Sequence, residues 1–116
     1  MDEHRARRVS EAVKLELAEI ISFEMDDPRL SDVSVTIAEV SPDMRHAHIK
    51  IATEMGTDKK ALAALEHAKN FLRHELGVRL NLRRIPDLHF AVDSHPDADV
   101  RIEFLLRRAK RSKARD

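Results

Sequence analysis

Seven histidines are the side chains of this sequence best suited to bind a metal ion or to transfer protons: His4, His46, His48, His67, His74, His89 and His95. His46 and His48 would share one face of a strand, and His67 and His74 one face of a helix. A metal site generally needs three converging ligands, and neither pair has a third ligand near it in the sequence. The sequence therefore predicts imidazoles on a polar surface, with no metal site and no cofactor.

Other catalytic chemistry finds little support. The absence of cysteine excludes disulfides and thiolate sites, and two glycines, Gly56 and Gly77, cannot build a glycine-rich phosphate loop. None of the serines lies in a nucleophile-elbow motif, and the acidic cluster of Glu24, Asp26 and Asp27 is typical of a charged helix end and turn. An enzyme acting on RNA stays as a third hypothesis, but no acid-base constellation supports it. We expect a protein that is not an enzyme.

Length and composition indicate one domain. The chain has 116 residues, of which 42% are apolar and 36% charged, as in a folded domain with a well-solvated surface. The charged N-terminus does not resemble a signal peptide, and no apolar run approaches the ~18 residues of a membrane span. We expect a cytoplasmic monomer with a single domain over residues 1–106 and a basic, flexible tail over 107–116.

Charge is strongly segregated although the net charge is zero. Residues 59–86 hold seven lysines and arginines against two acidic residues, and the tail 107–116 holds six against one. Residues 11–58 have a net charge of −7. Basic segments favour a partner rich in phosphate, whereas the acidic segment would suit a basic protein.

Helices and strands must position these charges. Apolar residues at spacings of three and four predict an amphipathic helix from Ser10 to Glu24, followed by a turn at Pro28. Period-two patterns predict a strand over residues 33–40, with a bulge or a strand end at Val40, and a hairpin partner after Ser41-Pro42-Asp43. In that partner Ala47, Ile49, Ile51 and Thr53 would face inward, and His46, His48 and Lys50 outward.

A second helical region is predicted from an N-cap at Thr57 or Asp58 to about Leu76, with a break near Asn70 and an end at Gly77. Residues 78–86 fit a strand, a helix remnant or a connector. Leu88 to Val92 predicts a third strand, and Val100, Phe104, Leu105 and Ala109 have the spacing of a terminal helix. The order predicts a two-layer α+β domain with its helices on one face of a three-stranded sheet.

The aromatic residues are four phenylalanines at apolar-periodic positions, so they are predicted to lie in the core: Phe23, Phe71, Phe90 and Phe104. The chain contains no tyrosine or tryptophan, which disfavours base stacking on the sheet. Lys69 and Arg73 share a helix face, and Arg79, Arg83 and Arg84 follow closely. These side chains could track a phosphate backbone, although a solvated helix face fits the same pattern.

Several short segments together resemble the bacterial ribosome-binding factor A family: Arg8-Val9, Asp27-Pro28-Arg29, Val35 to Asp43, Phe71-Leu72-Arg73 and Leu82 to Phe90. The resemblance covers most of the chain. It implies a type II KH-like fold of order α-β-β-α-α-β, in which an Ala-x-Gly kink between two helices replaces the usual GxxG loop. Ala68-Lys69-Asn70 matches that kink, with an asparagine that tolerates left-handed dihedrals in place of glycine.

The resemblance also implies a non-catalytic factor that binds the small ribosomal subunit and its rRNA during late maturation and supports growth at low temperature. Combining it with the charge pattern, we expect RNA contacts from ten residues: Ala68, Lys69, Asn70, Arg73, Arg79, Arg83, Arg84, Arg5, Arg7 and Arg8. The alternative is a protein-interaction module that docks a ribosomal protein or another factor through its acidic first helix and hairpin.

Overall fold

The order of elements agrees with a type II KH fold. A computed structural model describes residues 3–54 and 56–94. Its main elements are α1 (Glu3–Glu19), β1 (Val33–Val40), β2 (His46–Thr53), α2 (Asp58–His67), α3 (Lys69–Leu80) and β3 (Asp87–Val92). This α-β-β-α-α-β order confirms the predicted fold class. The expected terminal helix from Val100 to Ala109 and the basic tail 107–116 lie outside the described residues.

The first helix is longer than predicted and ends in an unusual turn. It begins at Glu3 and continues beyond Glu19 as one π-helical turn, Ile20–Glu24. A π turn is wider than an α turn, so Ile20 and Ile21 are both buried while Phe23 is exposed. After this turn the Asp27 side chain caps a 3₁₀ turn, Pro28–Leu30, by accepting a 2.9 Å hydrogen bond from the Arg29 N–H.

The predicted hairpin is confirmed, and its irregularity lies in the middle of β1. β1 and β2 are antiparallel, with Val35 opposite Ile51 and Ile37 opposite Lys50, so Thr36 is the extra residue of a bulge. The bulge shifts the inward-facing set from Val33 and Val35 to Ala38 and Val40. The phase change predicted at Val40 is therefore correct, but its origin lies four residues earlier.

The second helical region consists of two helices that meet at Ala68, whose φ of −92° and ψ of 5° interrupt the α geometry. The two-piece prediction is confirmed, but Asn70 lies inside α3 and is not left-handed. Gly77 also lies inside α3, so the prediction that it ends the helix is wrong. Asn81, with a φ of 51°, takes the left-handed C-cap position, and Gly77 O accepts a 3.1 Å hydrogen bond from the Leu82 N–H.

The sheet has the order β1-β2-β3, and β3 runs parallel to β2. Residues 78–80 belong to α3 and residues 81–86 form the connector into β3, so the segment that the sequence left open is part helix and part connector. The helices cover one face of the sheet and bury the apolar side chains of both layers. The other face is exposed and carries His46, His48 and Lys50, as predicted. Within residues 3–54 and 56–94, no helix is long and apolar enough to span a membrane.

Candidate nucleic-acid interface

Four exposed arginines lie in the first turns of α1 and just after the C-terminal end of α3. Arg5 and Arg8 line a shallow depression with Leu80 and Leu82. Arg83 and Arg84 follow Leu82 directly, and both are exposed. We call Arg5, Arg8, Arg83 and Arg84 the exit cluster. The depression lies between α1 and the end of α3, which are more than 60 residues apart in the sequence, and none of its six lining residues is acidic.

Arg7 does not belong to this cluster, although it lies between Arg5 and Arg8 in the sequence. Successive helical residues point about 100° apart, so Arg7 faces a different side of α1. It lines a groove between α1 and β1 together with Glu3, Glu11 and Lys14. The groove mixes both signs of charge and is a poorer match to phosphate than the exit cluster.

A second predicted region lies where α2 meets α3. Ala68 is partly buried at the break, Asn70 is exposed, and Lys69 Nζ lies 2.9 Å from Glu66 Oε2. The beginning of α3 also presents the positive end of its helix dipole. Because α3 has 12 residues, this junction and the exit cluster lie roughly 18 Å apart, at opposite ends of the helix.

Arg73 has a structural task in addition to any contact with RNA. Its Nη2 donates a 3.0 Å hydrogen bond to Ile85 O, and its Nε donates one of 3.2 Å to Pro86 O. These bonds hold the connector against α3 immediately before β3 begins. Arg73 therefore positions the segment that carries Arg83 and Arg84, and only part of its guanidinium faces solvent.

Arg79 forms ion pairs with carboxylates of α1 and of the π turn that follows it. Its Nη1 lies 3.1 Å from Glu16 Oε2 and 3.8 Å from Glu19 Oε1, and its Nη2 contacts Glu24. The hydrogen bond that Arg79 donates to Glu16 raises the pKa of Arg79 above its ordinary value, and the charges of Glu24 and Glu16 add to this effect. Arg79 thus joins α3 to α1, and its charge is compensated within the protein. Its contact with RNA stays a prediction.

The aromatic predictions also need correction. Phe23 and Phe71 expose 75% and 44% of their surface, so neither is a core residue. Phe90 is partly buried against the core, as expected, and Phe104 lies outside the described residues. Reading residues 61–76 as one helix placed Phe71 on the apolar face, whereas the break at Ala68 restarts the helical phase. Phe71 therefore stands beside Asn70 as an exposed ring that sequence reasoning missed.

Three histidines gather on the exposed face of the sheet. His46 Nδ1 lies 3.0 Å from His89 Nε2, and the His48 and His89 rings stack with centroids 5.0 Å apart. The side chain of Asp87 lies in the same group. The sequence indicated no third ligand for the His46 and His48 pair because β3 is some 40 residues further along the chain. Parallel pairing of β3 with β2 places His89 and Asp87 next to this pair.

Comparison with known proteins gives a consistent family. The family model described as "Ribosome-binding factor A" matches residues 5–106. The ribosome-binding factor A of Solibacter usitatus is 60% identical over 119 residues, covering 100% of this chain and 96% of that protein.

Two structures of a Thermus thermophilus protein resemble the fold. The crystal structure of its ribosome-binding factor A has a TM-score of 0.69 and 29% identity, covering 75% of this chain and 94% of that one. A homology model of the same protein, fitted into a cryo-electron-microscopy map of a 30S complex, has a TM-score of 0.65 and 30% identity. That match covers 75% of this chain and 92% of the fitted one.

Proposed function

Because the chain belongs to the ribosome-binding factor A family, we propose that it binds the small ribosomal subunit and acts as a non-catalytic assembly factor during late maturation. The similarity to the Thermus thermophilus protein fitted into a 30S complex supports this function most directly. We place its action in the cytoplasm, where it would help subunits mature and support growth at low temperature.

The exit cluster is the part of the surface best suited to rRNA phosphates. Arg5, Arg8, Arg83 and Arg84 are exposed on two adjoining elements, so several guanidinium groups can reach one backbone. Phosphate contacts fix register and orientation but carry no base sequence. Recognition at this end would therefore depend on the folded shape of the rRNA.

The junction between α2 and α3 would make the second contact. Asn70 offers hydrogen-bond donors and an acceptor, Lys69 a positive charge, and the neighbouring Phe71 an exposed ring. Exposed aromatic rings can stack on unpaired bases, and each such contact stabilises the complex by about 1–3 kcal/mol. The junction would thus read an unpaired nucleotide, while Arg73 and Arg79 keep the two regions in place.

Binding of purified 30S subunits tests the exit cluster. The double substitution Arg83→Glu and Arg84→Glu should weaken binding by about tenfold or more, since it replaces two attractive charges with repulsive ones. Cosedimentation over a protein titration measures the affinity, and circular dichroism checks the fold. Arg73 and Arg79 should be left unchanged, because reversing them would disturb helix packing.

A matched control is Arg45→Glu with Lys50→Glu, which reverses two exposed charges on the hairpin. If this control weakens binding as much as the exit variant, the exit cluster is not the specific contact. The protein-interaction alternative makes a different prediction, because binding to a ribosomal protein would survive complete RNase digestion of the subunit.

A further inference from the structure

We propose that His46, Asp87 and His89 form a binding site for a divalent transition-metal ion, with Zn²⁺ as the best match. The site lies on the exposed face of the sheet, opposite the helices. It is separate from the exit cluster and from the α2–α3 junction, so its presence does not depend on the proposed ribosomal function.

Strand register brings the three residues together. In the parallel pairing of β2 with β3, His46 lies beside Asp87 and His48 beside His89. All four side chains are exposed, whereas their neighbours Ala47 and Leu88 are buried, so the four share the outer face. The Asp87 N–H donates a 2.9 Å hydrogen bond to Arg45 O, which fixes the point where β3 joins the sheet.

The separations suit a metal ion after small side-chain adjustments. His46 Nδ1 and His89 Nε2 are 3.0 Å apart. Two imidazole nitrogens bound to zinc at about 2.0–2.1 Å lie roughly 2.8–3.4 Å apart at octahedral to tetrahedral angles. The ligand atoms of His46, Asp87 and His89 all lie within 4.8 Å of one another. Rotation of these exposed side chains can close the remaining gap.

The donor set points to a particular class of ion. Two imidazoles with one carboxylate are typical ligands of Zn²⁺, and imidazole also suits Cu²⁺ and Ni²⁺, whereas Mg²⁺ and Ca²⁺ prefer oxygen ligands throughout. Without a metal, the 3.0 Å contact is a hydrogen bond in which one imidazole donates and the other accepts. When an ion binds, the donating imidazole would carry its proton on its other ring nitrogen, which leaves both facing nitrogens free to bind the metal, and water would fill the open positions.

His48 supports the site without being one of its ligands. Its ring stacks on His89 at an interplanar angle of 21° and thereby limits how the His89 ring can turn. Lys50 lies further along the same face of β2 and adds a positive charge nearby. The negative charge of Asp87 is therefore important, because it offsets the repulsion between this cation and a metal ion.

Isothermal titration of the full chain without an affinity tag, using zinc chloride at pH 7.5, tests the site. We expect one tightly bound equivalent for the natural chain and for His74→Gln, a control that removes an exposed histidine outside the group. Removing a residue that supports a metal ligand without binding the ion lowers metal affinity by roughly tenfold to hundredfold. His48→Gln should stay within that range, whereas His46→Gln and His89→Gln should weaken zinc binding by more.

Two further measurements separate metal binding from misfolding. Because the ligands are exposed, the glutamine variants without metal should melt at nearly the same temperature as the natural chain. Zinc at about 100 times its dissociation constant should raise the melting temperature of the natural chain by roughly 10 °C. One equivalent of zinc should also shift the imidazole NMR signals of His46 and His89 but not those of His67 and His74. Equal zinc affinity in His74→Gln and His89→Gln, or no binding by the natural chain, would overturn the proposal.

Discussion

At the scale of single residues, one hydroxyl group connects the first helix to the sheet. Ser10 Oγ donates a 2.7 Å hydrogen bond to Ala6 O and accepts one of 2.8 Å from the Val40 N–H. Val40 is buried at the end of β1, and the hydrogen bond is part-buried beside the groove between α1 and β1. The contact therefore helps to set where α1 crosses the sheet and where Arg5 and Arg8 emerge.

Replacing Ser10 with alanine should lower the free energy of unfolding by about 1–3 kcal/mol, because the buried Val40 N–H loses its acceptor. Urea denaturation measures the change. Ser31→Ala, at an exposed serine, serves as the control and should change stability by less than about 0.5 kcal/mol. Equal stability of the two variants would show that Val40 finds another partner.

Arginines that look alike in the sequence differ by their neighbours in the structure. Arg73 donates to backbone carbonyls, Arg79 pairs with glutamates, and Arg83 is exposed. The count of charged residues indicated a basic region correctly, yet it could not distinguish the different surroundings of these three arginines. The carbonyls that Arg73 contacts are 12 and 13 residues away, and the glutamates of Arg79 more than 50, so local spacing carries no record of them.

At the scale of elements, close packing explains why α3 contains a glycine. A Cβ atom added to Gly77 would lie 2.6 Å from Ile85 Cδ1 and 3.0 Å from its Cγ1. Gly77 therefore allows the connector to lie against α3, while Asn81 provides the left-handed end of the helix. The sequence rule that associates glycine with helix ends gave the wrong reason for this residue.

A double-mutant cycle tests this packing. Alanine favours a helix over glycine by about 1 kcal/mol, so Gly77→Ala should stabilise a chain in which Ile85→Val has removed the clashing Cδ1. With Ile85 present, the same substitution should give a smaller gain or a loss, because the isoleucine must move. Urea unfolding of the four chains gives the coupling energy, and strict additivity would contradict the contact.

At the scale of the whole molecule, the fold pairs some charged side chains with each other and leaves others exposed. The acidic segment 11–58 supplies the glutamates that neutralise Arg79, so part of its charge is compensated within the protein. The N-terminal arginines Arg5 and Arg8 instead line the depression beside Leu80 and Leu82, next to the segment that carries Arg83 and Arg84. A chain with zero net charge thereby presents a basic surface at one end of α3.

Salt dependence should distinguish the two ends of α3. Removing Arg83 and Arg84 should reduce the slope of log affinity for 30S subunits against log salt by about one for each phosphate that is no longer neutralised. Phe71→Ala should weaken binding while leaving that slope unchanged, because ring stacking releases no counterions. Cosedimentation between about 50 and 200 mM salt measures both. A change of slope in Phe71→Ala would place its effect on phosphate binding.

The sequence alone determined the α+β class, the hairpin, the two-piece helical region and a basic segment near α3, because these depend on periodicity and composition over short windows. It did not determine which arginines are exposed, that Phe71 leaves the core, or that His89 and Asp87 join His46. The exposure of Phe71 follows from the break at Ala68, whereas the pairing of Arg79 and the histidine group depend on contacts of α3 with α1 and of β3 with β2. These contacts bring together residues that are distant along the chain, and only the tertiary structure decides them.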